Sequence, residues 1–308
     1  MNNEVIVVGT DGSDESWTVL DWAVGRAKVA NAQLQVLVAY NLPSLTPAGM
    51  EGGYLMVDDG KLRDLALETA QKACDYAKER GVEATSVVQP GDPAALLLEA
   101  SNEASLLVIG TTGSQGIADR FLGSVSASLP AKSKCPVVVV PKFEGGSPFT
   151  PVKKIVVGVD GSDTALTALR KAVDETELWG AKLQATSAVP FATGNHLMAW
   201  MTPSVDRKRV MHDIRVGLDV SVDQVVGDRD IQVGRHVLDG NPAELLSEFS
   251  TAVDLIVVGR RGRGGFAGLL LGSTSHTLLA RTTCPVMVVP QEKLEKLNGG
   301  ATAPWNRA

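Results

Sequence analysis

Two glycine-rich stretches of the chain share a residue spacing that suits anion binding. The first, GTTGSQGIADRFLGS, covers residues 110–124, and the second, GRRGRGGFAGLLLGS, covers residues 259–273. Both follow the pattern Gly-x2-Gly-x9-Gly-Ser. Glycine has no Cβ, so a glycine-rich loop can bring several backbone N–H groups against one anion. The spacing therefore predicts a phosphate site in each stretch.

A helix is predicted to begin at the serine that ends each stretch, at Ser124 and at Ser273. A helix N-terminus carries unpaired N–H groups and a partial positive charge, and both favour phosphate. Hydroxyl groups in the first turn add further donors. The predicted phosphate-binding residues are Gly110, Gly113, Gly123, Ser124, Val125 and Ser126 in the first stretch and Gly259, Arg261, Gly262, Arg263, Gly272, Ser273, Thr274 and Ser275 in the second.

Neither stretch matches two other common nucleotide motifs. A Walker A loop needs GxxxxGK[ST], and no lysine occurs in either stretch. The dinucleotide fingerprint GxGxxG follows the first strand of its fold, whereas the turn after the first predicted strand here is GTDG or GVDG. Glycines also serve ordinary tight turns, and this interpretation stays open for either stretch alone. Their duplication at one spacing favours phosphate binding.

The chain is a duplication with an offset of 149 residues. Asp160 follows Asp11 by 149 positions, and Cys284 follows Cys135 by the same number. The unit is itself the size of a domain, which distinguishes it from a small-repeat solenoid. We predict a first copy over residues 1–143, an exposed linker over 144–153, a second copy over 154–290 and a disordered tail over 291–308.

Short β-branched runs alternate with amphipathic stretches in each copy. The predicted strands of the first copy cover 5–10, 34–40, 83–89, 106–110 and 137–140, with helices between them. This alternation predicts an α/β fold, a doubly wound parallel sheet of five strands in each copy with helices on both faces. Ligands of such sheets bind beyond the carboxyl ends of the strands, where the strand order reverses. If the order reverses between the first and fourth strands, Asp11 and Gly110 lie at neighbouring strand ends.

Composition narrows the classes of partner. The chain has 308 residues and a formal charge of −6, which argues against nucleic acids and anionic membranes as partners. No stretch approaches the ~20 apolar residues of a membrane span, and the N-terminus lacks the pattern of a signal peptide. The three cysteines form no CxxC pair and give no metal-ligand pattern. We therefore expect a cytoplasmic protein without a metal site of its own.

Together the motifs resemble the universal stress protein family. They are the glycine stretch, the turn VGTDGS or VGVDGS after the first strand, and the closing strand CPVVVVP or CPVMVVP. Because the resemblance covers both copies, the chain looks like a tandem member of that family. The resemblance implies the strand order 3-2-1-4-5 and ATP, with or without Mg²⁺, in the crevice between strands one and four. It also implies pseudo-twofold pairing of the copies through their last strands, and it leaves a further homodimer open.

The resemblance also assigns the adenosine half of the site. It places Asp11 and Asp160 near the adenine and ribose, and Tyr40 and Val189 beside the adenine edge. The first stretch lacks the arginines of RRGRGG in the second, so we expect the second copy to bind its ligand more tightly. Plainer interpretations stay open, with the aspartates as turn caps and the arginines as solvated loop residues.

These observations predict an ATP-binding stress protein that signals through nucleotide occupancy, with one ATP site in each copy. Phosphoryl transfer depends on a positioned base or lysine, and none accompanies either glycine stretch, so turnover is not expected. Two alternatives stay open. One is a slow ATPase or another nucleotide-using enzyme of the same architecture, and the other is an interaction scaffold that binds no nucleotide.

Overall fold

Two copies of one α/β unit follow each other along the chain. The computed structural model describes residues 4–40, 59–112, 122–142, 149–190, 206–263 and 270–291. The elements of the first copy are β1 (Val5–Gly9), α1 (Asp14–Ala30), β2 (Gln33–Tyr40), α2 (Asp59–Glu79), β3 (Ala84–Pro90), α3 (Pro93–Ala100), β4 (Leu106–Gly110), α4 (Ser124–Lys132) and β5 (Val137–Val140). Those of the second copy are β6 (Lys154–Gly158), α5 (Asp163–Trp179), β7 (Lys182–Val189), α6 (Arg207–Val226), β8 (Val233–Asp239), α7 (Pro242–Phe249), β9 (Leu255–Gly259), α8 (Ser273–Arg281) and β10 (Val286–Val289).

The predicted fold class is confirmed. Strands within each copy are parallel and lie in the order β3-β2-β1-β4-β5 and, in mirror order along the sheet, β10-β9-β6-β7-β8. The predicted strands agree with the observed ones to within one residue at each end. The agreement has a simple physical basis, because β-branched runs such as VIVVG and LLVIG suit strands that are buried on both faces.

Helices cover both faces of the sheet, and alternate residues of each strand face opposite helices. Ile6 and Val8 belong to the core beneath α1, α2, α5 and α6, whereas Val7 belongs to the core beneath α3, α4, α7 and α8. Residues close in sequence set the start of the short helices α3 and α7. Pro93 and Pro242 occupy the first turns of α3 and α7, after the capping side chains of Asp92 and Asn241.

The two copies form one ten-stranded sheet through their last strands. Strand β5 pairs antiparallel with β10, with Val138 opposite Met287. Pairing of the copies through their last strands is what the family resemblance implied. These two residues occupy the same position in the two copies, since 287 − 138 = 149. A pseudo-twofold axis therefore passes between them. Pairing also removes two apolar strands from the edges of the sheet.

Part of the predicted linker is not exposed. Val152 is 1% exposed, and Phe149 packs against the core, so residues 149–152 belong to the folded body. The remaining linker residues 144–148 and the predicted tail from 292 onward lie outside the described residues. Within the described part of the chain, no helix combines the length and the apolar character that crossing a membrane requires.

The glycine at the end of β9 permits a close contact between this strand and helix α5. A Cβ built on Gly259 would lie 2.8 Å from the carbonyl carbon and 2.9 Å from the carbonyl oxygen of Thr164 in α5. The matching residue in the first copy, Gly110, has more room. A Cβ built on Gly110 would lie 3.2 Å from its nearest neighbours, Thr112 O and Val19 Cγ2. The two copies therefore differ in how tightly this helix meets the strand end.

We expect Gly259→Ala to destabilise the second copy by about 1 to 3 kcal/mol, because the methyl group meets backbone atoms that cannot rotate away. Gly110→Ala is the matched control and should be destabilised less, since a valine side chain and a loop carbonyl can shift. Urea unfolding followed by circular dichroism measures both. Equal losses in the two variants would contradict the interpretation.

Candidate functional site

The candidate sites lie at the carboxyl ends of β1 and β4 and of β6 and β9. Strand β1 pairs with β2 on one side and with β4 on the other, so the order in which successive strands are added to the sheet reverses between β1 and β4. The same reversal occurs between β6 and β9. A doubly wound sheet opens a crevice at such a reversal. The turn after the first strand and the glycine stretch after the fourth therefore meet at the carboxyl ends of neighbouring strands.

In the second copy, one carboxylate joins these two motifs. Asp160 Oδ1 accepts hydrogen bonds from the Ser162 N–H at 3.0 Å and from the Ser162 hydroxyl at 2.6 Å. Its Oδ2 accepts from the Arg263 N–H at 2.9 Å. A Cβ on Gly262 would overlap Oδ2, so a larger residue would displace this carboxylate from the Arg263 N–H. Asp160 therefore anchors the glycine stretch, in addition to capping its own turn as the plainer interpretation expected.

The first copy repeats the turn. Asp11 Oδ1 accepts from the Ser13 N–H at 3.0 Å and from the Ser13 hydroxyl at 2.6 Å. Gly113, which corresponds to Gly262, lies outside the described residues. The two aspartates thus share one local conformation, as expected from the identical DGS sequence that follows the strand.

Each glycine stretch is closed at its base by hydrogen bonds to the strand end. The Gly123 N–H donates to Thr111 O at 2.8 Å, and the Gly272 N–H donates to Arg260 O at 2.9 Å. The buried hydroxyl of Ser126 donates to Thr111 O at 2.6 Å, and that of Ser275 donates to Gly259 O at 2.9 Å.

These contacts give two of the predicted phosphate donors in each copy a partner within the protein. The N–H of Gly123 and the hydroxyl of Ser126 were expected to face phosphate oxygens, yet both donate their hydrogens within the protein. The same holds for Gly272 and Ser275 in the second copy. These residues hold the start of the helix against the strand, which positions the groups beside them.

The starts of α4 and α8 keep their anion-binding character. Neither helix has a side-chain hydrogen bond at its N-cap, and neither carries an acidic residue in its first turn. The first-turn N–H groups of an α-helix have no partner within the helix, and the helix dipole adds partial positive charge. Ser124 and Ser273 are exposed at these positions, with Val125 and Thr274 next to them. The geometry suits an anion at each helix start.

The three arginines of the second stretch have different surroundings. Arg260 is half-buried, and its guanidinium donates to Ala131 O at 3.2 Å and Ser133 O at 3.3 Å, at the C-terminal end of α4 in the first copy. Burial, followed by the charge of Arg261, lowers the pKa of Arg260. Arg261 and Arg263 are exposed. The two exposed arginines are the ones that the sequence analysis assigned to phosphate.

The predicted adenine-edge residues end β2 and β7. Tyr40 O accepts from the Gly91 N–H at 3.0 Å, and Val189 O accepts from the Gly240 N–H at 3.0 Å. These strands run parallel to their neighbours β1 and β6, so each residue lies at the same carboxyl end of the sheet as the aspartate of its copy. Their role at an adenine ring stays a prediction.

One contact at the second site was missed. Thr164, in the first turn of α5, donates through its hydroxyl to Arg261 O and so holds the glycine stretch from the other side. Its counterpart in the first copy is Glu15, which pairs with Lys142 at 3.3 Å. No residue spacing signals this contact, because the two partners are 97 positions apart.

Thiol chemistry does not belong to these sites. Cys135 and Cys284 are buried, and burial raises the pKa of both thiols, that of Cys284 to about 12. A thiol with so high a pKa holds its proton near neutral pH and is a poor nucleophile. Both side chains therefore serve packing beneath the closing strands.

Comparisons with known proteins agree on one family. The model of the Universal stress protein family matches residues 2–141 and 151–290. A universal stress protein of Mycobacterium tuberculosis (strain ATCC 25618 / H37Rv) is 31% identical over 295 residues, which covers 93% of this chain and 97% of that protein.

A solved structure shows the same fold. A universal stress protein from Archaeoglobus fulgidus aligns over 95% of this chain and 100% of its own, with 23% identity and a TM-score of 0.67. A universal stress protein solved in complex with cAMP aligns over 46% of this chain and 98% of its own, with 32% identity and a TM-score of 0.36.

We expect Asp160→Ala to release the glycine stretch of the second copy, because the Arg263 N–H loses its acceptor. Hydrogen exchange at the Arg263 amide should become roughly ten- to a hundredfold faster, since a bond to a charged acceptor contributes roughly 1.5 to 3 kcal/mol. Asp11→Ala is the matched control and should leave that amide unchanged. Unaltered exchange in Asp160→Ala would show that the carboxylate does not anchor the stretch.

Alkylation should separate the three cysteines. With a maleimide at pH 8, we expect Cys74, which is partly exposed, to be modified well before Cys135 and Cys284, which are buried. Burial raises the pKa of all three thiols, so access of the reagent decides the order. Peptide mapping by mass spectrometry measures the order, and all three should react in denaturant. Modification of Cys284 as fast as Cys74 in the folded protein would refute the assignment.

Proposed function

Because the chain belongs to the universal stress protein family and carries two copies of its domain, we propose that it binds one ATP molecule in each copy. Nucleotide occupancy, rather than turnover, would then be the signal that the protein delivers in a stress response. The observation that carries this proposal is the pair of helix starts, α4 and α8, which lack side-chain caps and first-turn acidic residues at the two reversals of strand order.

The phosphates of the nucleotide would bind at these helix starts. Ser124 with Val125 in the first copy, and Ser273 with Thr274 in the second, supply N–H groups, and the two exposed serines supply hydroxyls. The anchoring bonds of Ser126 and Ser275 hold these donors in place before ligand arrives. Donors that are already oriented lose less entropy on binding.

The adenosine half would use the aspartates and the ends of the second strands. An ionised carboxylate offers about four acceptor positions. Asp160 uses three of them in the described contacts, two with Ser162 and one with Arg263, which leaves about one for a ribose hydroxyl. The adenine edge would meet the backbone at Tyr40 and Val189, as the family resemblance implies.

The second copy should bind its nucleotide more tightly. Its glycine stretch carries the exposed Arg261 and Arg263, and the bonds from Asp160 and Thr164 hold that stretch in position. The first stretch has Thr112 at the position of Arg261 and offers no arginine before Arg120. Charged donors strengthen phosphate contacts, so the affinities of the two sites should differ by at least about tenfold.

Mg²⁺ would accompany the triphosphate rather than occupy a site of the protein. Among the described residues, no group of three His, Cys, Asp or Glu side chains is arranged to hold a metal. The free thiols fit a cytoplasmic location, which stays a prediction, as does a homodimer of the whole chain.

Calorimetry with aspartate variants tests the proposal. After removal of co-purified nucleotide, the wild type should bind two equivalents of ATP. Ser124→Asp should remove the first-copy equivalent and Ser273→Asp the second, because each carboxylate stands where phosphate would bind. A carboxylate in the first turn favours the helix itself, so both variants should fold. Ser124→Asn and Ser273→Asn are uncharged controls of the same size and should retain binding.

Each outcome has a distinct meaning. Each single aspartate variant leaves one site to be titrated alone, so their dissociation constants give the difference in affinity between the copies. Full binding by the double aspartate variant would place the phosphates elsewhere. A wild type that binds neither ATP nor cAMP at millimolar concentration would leave the scaffold alternative, and formation of ADP during the titration would favour the ATPase.

A further inference from the structure

A buried ion pair lies on the pseudo-twofold axis at the interface between the two copies. Arg26 of α1 donates to Glu175 of α5 through Nε at 2.8 Å and through Nη2 at 2.9 Å. The two side chains are 3% and 0% exposed. Their numbers differ by 149, because 175 − 26 = 149, so they occupy the same position in the two copies. A residue near a twofold axis faces its own equivalent, and here the equivalents carry opposite charges.

We propose that this pair determines which domains associate, so that a first copy pairs only with a second copy. If two first copies met in the same way, Arg26 would face another Arg26. If two second copies met, Glu175 would face another Glu175. Either arrangement would set two buried like charges against each other and remove the opposite charge from across the axis, which is strongly unfavourable. The proposal does not depend on nucleotide binding.

The strand ladder at the interface does little to distinguish the copies. Strands β5 and β10 read VVVV and VMVV, so they differ at one residue, and their ladder is formed by backbone groups that every strand offers. Arg260 also crosses the interface and donates to backbone carbonyls that either copy offers, while its counterpart in the first copy is Thr111. That contact would be absent between two first copies, but it sets no like charges against each other across the axis. The pair on the axis is therefore the contact that penalises both wrong pairings.

The surroundings of the pair are also opposite in charge. Glu4 accepts from Arg26 Nη2 at 3.1 Å, while its counterpart in the second copy, at 4 + 149, is Lys153. On the other side, Lys171 Nζ lies 3.5 Å from Glu175 Oε1, and Trp179 Nε1 donates to Glu175 Oε2 at 3.2 Å. The counterparts of these two residues are Trp22 and Ala30, which carry no charge. In each copy, the neighbouring charge thus stabilises the charge of the residue on the axis.

Selection and stabilisation are separable. A buried ion pair often contributes little net stability compared with apolar residues of similar size, while it excludes wrong partners. The double variant Arg26→Met with Glu175→Met should therefore fold at least as well as the wild type but lose its choice of partner.

Refolding of mixed charge variants tests the proposal. In the Arg26→Glu chain every pairing sets Glu against Glu, and in the Glu175→Arg chain every pairing sets Arg against Arg. When the two chains are unfolded and refolded together, opposite charges become available only between different chains. After joint refolding of the two variants, one of them isotopically labelled, we expect native mass spectrometry to show pairs that hold one chain of each variant. These mixed pairs should be about tenfold more abundant than the labelled–unlabelled pairs that form when either variant, or the wild type, is refolded with labelled chains of its own kind.

The Met double variant provides a second measurement, which does not need the charge variants to fold. Refolded from a mixture of labelled and unlabelled chains, it should form mixed pairs severalfold more often than the wild type. If it forms no more mixed pairs than the wild type, or if the complementary charge variants fail to associate although both fold, the ion pair does not select domain partners and the proposal is wrong.

Discussion

The antiparallel pairing of β5 with β10 holds the two halves of the molecule in one sheet. Each of these strands is a run of four buried apolar residues, and either would be an exposed sheet edge if its copy stood alone. Val138 opposite Met287 sets the axis, and that axis in turn brings α1 against α5 and α4 beside α8. The positions of both candidate sites relative to each other follow from this single register.

Each candidate site depends on a strand end that is held to the helix after it. Ser126 and Ser275 are buried and donate to backbone carbonyls at the ends of β4 and β9, which places the exposed starts of α4 and α8 at the crevice. Exposed N–H groups at a helix start offer a site for an anion, and the two serine bonds fix the direction in which these groups point. The glycine stretch and the serine that follows it form one structural unit for this purpose.

Although the copies share a fold, the contacts around them are not symmetrical. Arg260 crosses from the second glycine stretch to the carbonyl end of α4, where positive charge is favourable. The same helix begins at the first candidate site, so one element touches both sites. Thr111, which corresponds to Arg260, has no side chain long enough for the reciprocal contact. At the axis itself, Arg26 meets Glu175 rather than a copy of itself.

The amino-acid sequence by itself determined the elements, the duplication and the sheet order that the family resemblance implied. β-branched runs, Pro93 after Asp92 and the glycine spacing are local signals, and each acts on residues only a few positions away. Only the tertiary structure decided which groups at the site are used within the protein. Ser124 and Ser126 are alike in the sequence, yet packing against the strand end occupies one hydroxyl and leaves the other exposed. Likewise, Gly262 is needed because Asp160 approaches it from 102 positions away in the chain, and Arg26 meets Glu175 because a twofold axis passes between them. Such contacts depend on how distant segments pack, which residue spacing does not specify.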